Sequence, residues 1–303
     1  MDFLAYISIY SIVWLISLLP LRVLYFLSKG LYLLIYYAIG YRKKVVFENL
    51  RNSFPEKSPE EIKQIAKKFY KYFSRLLLEI IKLITVSNEE LKRRIVFKSN
   101  NVLTELYNKG ISGIVITGHY GNWEWVSGLA DSTPYKVMAV YKPVSNKYLD
   151  RLFIRMRSKT GTELVNMNKI LKAILINKRD GIPTLSFFNS DQSLVKEHIQ
   201  YWTTFLNQDT PVIVGAEKIA RLTKQAVLYC KIIPVRVGYY EVDVIKLYED
   251  VSNVQDYEIT EKHVKLLEQM IKDKPEYWLW THRRWKLSYL RNAKNLNLEN
   301  QPK

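Results

Sequence analysis

The chain has 303 residues, of which 48% are hydrophobic and 13% aromatic. It can therefore bury a full core, and it is too apolar to be an intrinsically disordered protein. Lys and Arg number 46 against 29 Asp and Glu, a net charge of +17, which attracts phosphate-bearing lipids, acidic carrier proteins or nucleic acid without choosing among them. The one cysteine, Cys230, lies in an apolar run. An internal disulfide is therefore excluded, and we expect a buried thiol there.

The amino-terminal residues are strongly apolar. No charged residue occurs from 3 to 19, and because about 20 apolar residues are needed to cross a bilayer core, this run is borderline for spanning. A second apolar run, 31–39, is followed by the basic cluster 42–44. We expect residues 1–40 to anchor the chain to a membrane, with the rest on the cytoplasmic side, where positive charge is retained. The alternatives are a cleaved signal peptide, which the absence of Lys and Arg before the run disfavours, and a buried helix.

The segment Ser58-Pro59-Glu60-Glu61 predicts the start of a long helix. Ser58 can serve as the N-cap, Pro59 as the first helical residue and Glu61 as the partner in a capping box. Apolar residues follow at helical spacing over 62–80, while Lys and Arg occupy the other faces. The helix is therefore amphipathic and basic, which fits either a charged face over an ordinary core or binding to a membrane surface.

After residue 111 the pattern changes to short β-rich runs separated by helical stretches. The predicted strands are 114–117, 136–141, 182–188 and 226–237. This alternation predicts an α/β fold with a mixed, largely parallel sheet flanked by helices.

The strongest chemical signal follows the first of these strands: Gly118-His119-Tyr120-Gly121-Asn122-Trp123-Glu124-Trp125. On a continuous helix, residues five apart point about 140° away from each other, so His119 and Glu124 can pair only across a turn. Gly121 can take a positive φ, and Asn122 can cap a new helix whose first turn holds Glu124. We therefore predict that Glu124 fixes the tautomer of His119, whose other nitrogen takes a proton from a hydroxyl.

The alternative is that a histidine and a glutamate near a glycine-containing turn are structural only. No Gly-x-Ser-x-Gly nucleophile elbow is present, and Cys230 is remote in sequence. The simplest reaction is therefore direct attack by an acceptor hydroxyl that His119 activates, without a covalent enzyme intermediate.

Residues 118–124 resemble the His-x4-Asp/Glu motif of glycerolipid-type acyltransferases, and in particular of the lauroyl/myristoyl transferases of lipid A biosynthesis. Further segments agree in the same order: Tyr141-Lys142-Pro143 with Asn146, Asp150-Arg151, Arg157-x3-Gly161, Asp191-Gln192, Thr210-Pro211 and the ending Pro275-Glu276-Tyr277-Trp278-Leu279-Trp280-Thr281-His282-Arg283-Arg284. The resemblance spans nearly the whole chain. It implies a glycerolipid acyltransferase-like fold with an anchor over 1–40, a catalytic domain over 41–291 and a polar tail over 292–303.

The resemblance also implies roles for individual residues. The expected catalytic residues are His119, Glu124 and Arg157; this arginine would bind an acceptor phosphate or stabilise charge on the thioester oxygen, the alternative being an ordinary exposed helix charge. Substrate-binding roles are expected for Lys142, Arg155, Asn122, Asp191 and Gln192, although a structural role in holding a turn or an arginine is favoured for Asp191. No metal is expected. Lys142 stands where the family often has Arg, which bears on the identity of the acceptor.

The expected reaction is transfer of a fatty acyl chain from acyl carrier protein, or less readily from coenzyme A, to a hydroxyl of a lipid A precursor. It would take place at the inner membrane, with the catalytic domain facing the cytoplasm and no cofactor besides the thioester co-substrate. The expected partners are the carrier, an anionic lipid acceptor and the membrane. The alternatives are another lipid acceptor, such as a phospholipid, glycolipid or pigment, and a non-catalytic basic membrane-binding protein. No motif supports nucleic-acid binding.

Overall fold

The computed structural model describes residues 3–98 and 100–291, so the predicted polar tail, 292–303, lies outside the described residues. A helical region forms the first part of the chain. Its helices are α1 (Phe3–Leu18), α2 (Leu21–Leu33), α3 (Lys43–Ser53), α4 (Pro59–Lys82) and α5 (Asn88–Arg94), and a π-helical segment, Leu34–Ala38, continues α2.

Strands and helices alternate in the remainder of the described chain. The strands are β1 (Ile95–Phe97), β2 (Gly113–Thr117), β3 (Lys136–Tyr141), β4 (Glu163–Asn166), β5 (Thr184–Asn189), β6 (Tyr201–Phe205), β7 (Gln208–Val212), β8 (Ala226–Arg236) and β9 (Tyr239–Tyr248). The helices are α6 (Asn100–Asn108), α7 (Lys147–Arg157), α8 (Ile170–Arg179), α9 (Gly215–Thr223) and α10 (Glu258–Asp273), with a 3₁₀ helix at Trp125–Ser132.

Seven of these strands form one sheet in the order β1-β9-β8-β2-β5-β3-β4. Every neighbouring pair is parallel except β8 and β9, which are antiparallel, so the predicted mixed, largely parallel sheet is confirmed. The four predicted strands correspond to β2, β3, β5 and β8. Strand β2 lies inside the sheet between β8 and β5, and all five of its residues are buried.

Helix α4 begins as the sequence predicts. The Glu61 backbone N–H donates to Ser58 Oγ at 3.3 Å, and the Ser58 backbone N–H donates to Glu61 Oε2 at 2.8 Å, which completes the capping box at Pro59. The helix buries Ile62, Ala66, Phe69, Phe73 and Leu76 in the core. Cys230 is also buried, as expected.

The helices give no direct support to a predicted anchor that spans the membrane. Within residues 3–98 and 100–291, no single helix has the length and hydropathy of a membrane span. By length and composition alone, the pair Leu21–Ala38 and Lys43–Ser53 passes the same test when taken together, but its two parts are bent by 86°.

Candidate active site

Two neighbouring parallel strands bring the central residues of the site together. Strands β2 and β5 pair in register, with Thr117 opposite Asn189, and the Ser190 backbone N–H donates to Thr117 O at 3.0 Å. The loops that follow these strands therefore leave the same edge of the sheet side by side. His119 lies in the first loop and Asp191 in the second.

Asp191 is the carboxylate that holds His119. Its Oδ1 lies 2.6 Å from His119 Nδ1, and its Oδ2 accepts the His119 backbone N–H at 2.8 Å. Trp278 Nε1 donates to the same Oδ2 at 2.9 Å. The prediction that Glu124 fixes the tautomer of His119 is therefore wrong, because Asp191 occupies Nδ1.

The environment of Asp191 favours its ionised form. Burial alone raises the pKa of this carboxyl group, but the neighbouring His119 and the hydrogen bonds from His119 and Trp278 outweigh burial and hold the pKa well below its usual range. Its side chain is only 4% exposed. The carboxylate is therefore placed to stabilise an imidazolium at His119 rather than to contact substrate.

The second nitrogen of His119 faces Gln192. Gln192 Nε2 lies 3.0 Å from His119 Nε2, and because Nδ1 donates its proton to Asp191, Nε2 accepts a hydrogen bond from the Gln192 amide. The indole of Trp123 packs edge-on against the imidazole, with 4.9 Å between ring centroids. An acceptor hydroxyl that reaches Nε2 must therefore displace the Gln192 amide.

Glu124 forms a bidentate ion pair with Arg157. Arg157 Nε donates to Glu124 Oε2 at 2.6 Å and Nη2 donates to Oε1 at 2.5 Å. Burial lowers the pKa of Arg157, but the hydrogen bonds and the charge of Glu124 outweigh it and raise the pKa above its ordinary value. Trp123 Nε1 also donates to Glu124 Oε1, at 3.2 Å. Trp123 thus contacts both His119 and Glu124, which places the ion pair next to the histidine.

The predicted turn between His119 and Glu124 is present, but Glu124 directly precedes the 3₁₀ helix Trp125–Ser132 instead of lying in the first turn of a helix capped by Asn122. Gly121 has φ +62°, and a Cβ there would lie 2.7 Å from Ile232 Cγ2, so both conformation and space require glycine. Asn122 Oδ1 accepts the Trp125 backbone N–H at 3.2 Å at the start of the 3₁₀ helix. Asn122 is fully buried, and its amide donates to Glu79 Oε2 at 2.8 Å. Its predicted contact with substrate therefore does not fit the structure.

The family of the chain is settled by a comparison of its whole length. The sequence model of the family of bacterial lipid A biosynthesis acyltransferases matches residues 2–287. The chain belongs to this family. It is therefore an acyltransferase, and the resemblance seen in the sequence is confirmed. A comparison with curated proteins gives no significant match.

In this acyltransferase the carboxy-terminal segment supports the histidine loop. The Leu279 backbone N–H donates to His119 O at 3.2 Å, and the Gly121 backbone N–H donates to Tyr277 O at 3.1 Å. Trp278 and Trp280 are buried, so this segment packs against the rest of the protein. The role of Trp278 was not predicted, although its place in the family-like ending was a signal.

The remaining residues predicted from the family are basic and lie outside these two clusters. Lys142 follows β3, the neighbour of β5, at the same edge of the sheet, and Arg155 lies on α7. Both are exposed, and neither side chain has a hydrogen bond or ion pair to any residue the structure describes. The structure thus brings His119, Asp191 and Gln192 together and leaves these two cations free.

Proposed function

We propose that this acyltransferase moves a fatty acyl chain from an acyl carrier protein thioester to a hydroxyl of a lipid A precursor. The observation that supports it most is the geometry of His119, whose Nδ1 is held by Asp191 and whose Nε2 faces an amide that can turn away. The family supports the acceptor class. The net charge of +17 supports an acidic carrier protein over free coenzyme A, because opposite charges speed docking.

The proposed reaction is a direct transfer. The neutral imidazole of His119 carries its proton on Nδ1, so Nε2 takes the proton of the acceptor hydroxyl while that oxygen attacks the thioester carbonyl carbon. The imidazolium formed is stabilised by Asp191. The tetrahedral intermediate collapses, the carbon–sulfur bond breaks, and Nε2 returns the proton to the departing thiolate. Burial raises the pKa of Cys230 to about 12, so this thiol does not serve as a nucleophile, and the thioester makes a cofactor unnecessary.

We assign the surrounding polar residues to the two substrates. Once displaced from Nε2, the amide of Gln192 can bind the acceptor. Arg157 Nη1 has no hydrogen-bond partner in the described parts of the chain, so this edge of the guanidinium can face the thioester oxyanion or an acceptor phosphate while Glu124 holds the other edge. Lys142 and Arg155 supply exposed positive charge for an anionic lipid.

We also propose that the enzyme works at the cytoplasmic face of the inner membrane. Helices α1 and α2 expose large apolar side chains to solvent, among them Ile12, Leu15, Phe26 and Leu33. The basic cluster 42–44 follows them, as expected for the cytoplasmic side. An interfacial arrangement of these helices agrees with their length and with the 86° bend after Ala38.

The proposal is tested by incubating the purified protein with acyl carrier thioesters of defined chain length and a lipid A precursor, and identifying products by mass spectrometry. His119→Ala is expected to lower turnover at least ~10²-fold, the usual contribution of a general base. Asp191→Asn is expected to cause a loss of similar size, because an amide can neither fix the tautomer nor stabilise the imidazolium.

His198→Ala is the matched control, since His198 is an exposed histidine outside the site, and full activity is expected. A folded Asp191→Asn variant with a wild-type rate would remove the histidine–carboxylate pair from the mechanism. Acylation of another lipid, with none of the precursor, would overturn the acceptor assignment.

A further inference from the structure

Helix α4 carries a carboxylate inside the protein that the proposed reaction does not use. Glu79 is 1% exposed, and within the described ranges no cation lies within salt-bridge distance of it. Its Oε2 accepts hydrogen bonds from Tyr240 OH at 2.6 Å and Asn122 Nδ2 at 2.8 Å, and its Oε1 accepts one from Tyr25 OH at 3.1 Å. A buried acid without a counter-charge is costly, so its presence requires an explanation.

Glu79 is tied to both sides of Glu124 in the catalytic turn. Its carboxylate binds the side chain of Asn122, and its backbone carbonyl accepts Trp125 Nε1 at 3.1 Å. Asn122 in turn accepts the Trp125 backbone N–H through Oδ1. Residue 79 therefore holds the turn that begins at His119 and ends in the 3₁₀ helix.

The chemical type of residue 79 matters for the orientation of Asn122. The amide must point its nitrogen at residue 79 and its oxygen at the Trp125 N–H, and only an acceptor at residue 79 favours that orientation over the flipped one. Burial raises the pKa of Glu79, although the hydrogen bonds from Tyr240, Asn122 and Tyr25 and the charge of Arg75 act against burial. In the observed geometry Asn122, Tyr240 and Tyr25 all donate to the carboxyl oxygens of Glu79, and the oxygen that accepts from Asn122 fixes the amide in one orientation.

We propose that Glu79 is a positioning residue for acyl transfer: by fixing the orientation of Asn122, its carboxylate sets the turn that carries His119 and Glu124. This inference rests on the proposed role of His119 as the base. Because a displacement of about 1 Å at a reacting group can lower a rate strongly, loss of the Asn122 hydrogen bond should change turnover more than substrate affinity.

The test first removes the acceptor at residue 79 and then exchanges donor and acceptor between the two residues. Glu79→Met keeps about the size of the side chain but removes the acceptor opposite the Asn122 amide, and we expect kcat to fall about tenfold or more while KM for the thioester stays within about twofold. Asn122→Asp alone faces one carboxylate with another and should also lower kcat. The double variant Glu79→Gln/Asn122→Asp restores one donor and one acceptor, so it is expected to recover most of the lost kcat.

Tyr240→Phe is the matched control, because it removes a hydrogen bond to the same Glu79 oxygen but keeps the ring that packs against Trp125. Its kcat is expected to stay within about twofold of wild type even if its thermal unfolding temperature falls. All variants are assayed well below their unfolding temperatures, and kcat is measured as thiol release with whichever acceptor the wild type uses. A wrong acceptor assignment therefore leaves this test intact. Unchanged kcat in Glu79→Met, or a double variant Glu79→Gln/Asn122→Asp no better than Asn122→Asp alone, overturns the proposal.

Discussion

Arg157 and Glu124 form an ion pair beside His119, in which two of the three guanidinium nitrogens are engaged. The side chains are 31% and 10% exposed, so removing Arg157 leaves a largely buried carboxylate unpaired. We expect Arg157→Ala to lower kcat/KM by roughly 10- to 150-fold, the range of 1.5–3 kcal/mol for a hydrogen bond to a charged group. The loss should be equal on a phosphorylated acceptor and on its dephosphorylated analogue, measured side by side, because two of the three nitrogens serve Glu124.

Two further variants separate the possible roles of this arginine. Arg157→Lys keeps the charge but loses the bidentate geometry, so it should recover only part of the activity. Lys147→Ala removes an exposed cation from the other end of α7 and controls for a general loss of positive charge. A loss confined to the phosphorylated acceptor would instead assign Nη1 of Arg157 to the acceptor phosphate.

At the scale of single residues, the partner of His119 could not be predicted from the sequence. The chain offers Glu124 five positions away and Asp191 72 positions away, and the chemistry of a carboxylate does not separate them. The order of strands does, because β2 and β5 are neighbours. The signal was present, since both His119 and Asp191 follow predicted strands, but strand order is set by packing across the whole sheet.

At the scale of elements, local signals were predictable and long-range pairing was not. Helix α4 carries its own start signals, and β2, β3, β5 and β8 are apolar runs, so each was recognised from nearby residues. Strands β1 and β4 have 3 and 4 residues, too few to show a period. The antiparallel strand β9 is long, yet it was not predicted either.

Helix α10 carries a buried histidine, His263, whose burial can be tested by the pH dependence of stability. His263 is 4% exposed. Burial lowers its pKa to about 4, although the charge of Asp191 acts in the opposite direction. In the unfolded chain the pKa of a histidine is near 6.5. Between about pH 6.5 and pH 4, His263 therefore binds a proton in the unfolded state but not in the folded state. The stability that is present above about pH 6.5 is lost as the pH falls towards 4. We expect the free energy of unfolding to drop by about 2 kcal/mol from this residue between about pH 7 and pH 5.

Urea unfolding of the wild type and of His263→Gln at both pH values measures this contribution. The wild type should lose more stability on acidification than the variant, and the difference between the two losses isolates His263. His282, whose pKa burial also lowers to about 4, is present in both proteins and cancels. Equal pH dependence in the two proteins would show that His263 is accessible to protons in the folded state.

At the scale of the whole molecule, the exposed apolar surface is concentrated at the amino-terminal end. In helix α2 and the segment after it, Phe26 is 70% exposed, Leu33 56% and Ile39 62%, and this surface lies close in sequence to the cations 42–44. Contact with lipid would bury the apolar side chains and leave the cations at the headgroups. The active-site turn meets the same region through Glu79, which also accepts a hydrogen bond from Tyr25 of α2.

The double variant Phe26→Ala/Leu33→Ala should therefore weaken binding to anionic vesicles, measured by co-sedimentation, by about tenfold or more, since full burial of one such side chain contributes roughly 1.5–3 kcal/mol. Leu222→Ala/Tyr289→Ala removes two residues of similar exposure, 66% and 62%, outside the amino-terminal helices, and binding should not change. High salt should weaken the remaining attraction of the cations but not the apolar contribution. Equal losses in both double variants would mean that vesicle binding does not depend on α2, and the anchor would have to be sought elsewhere.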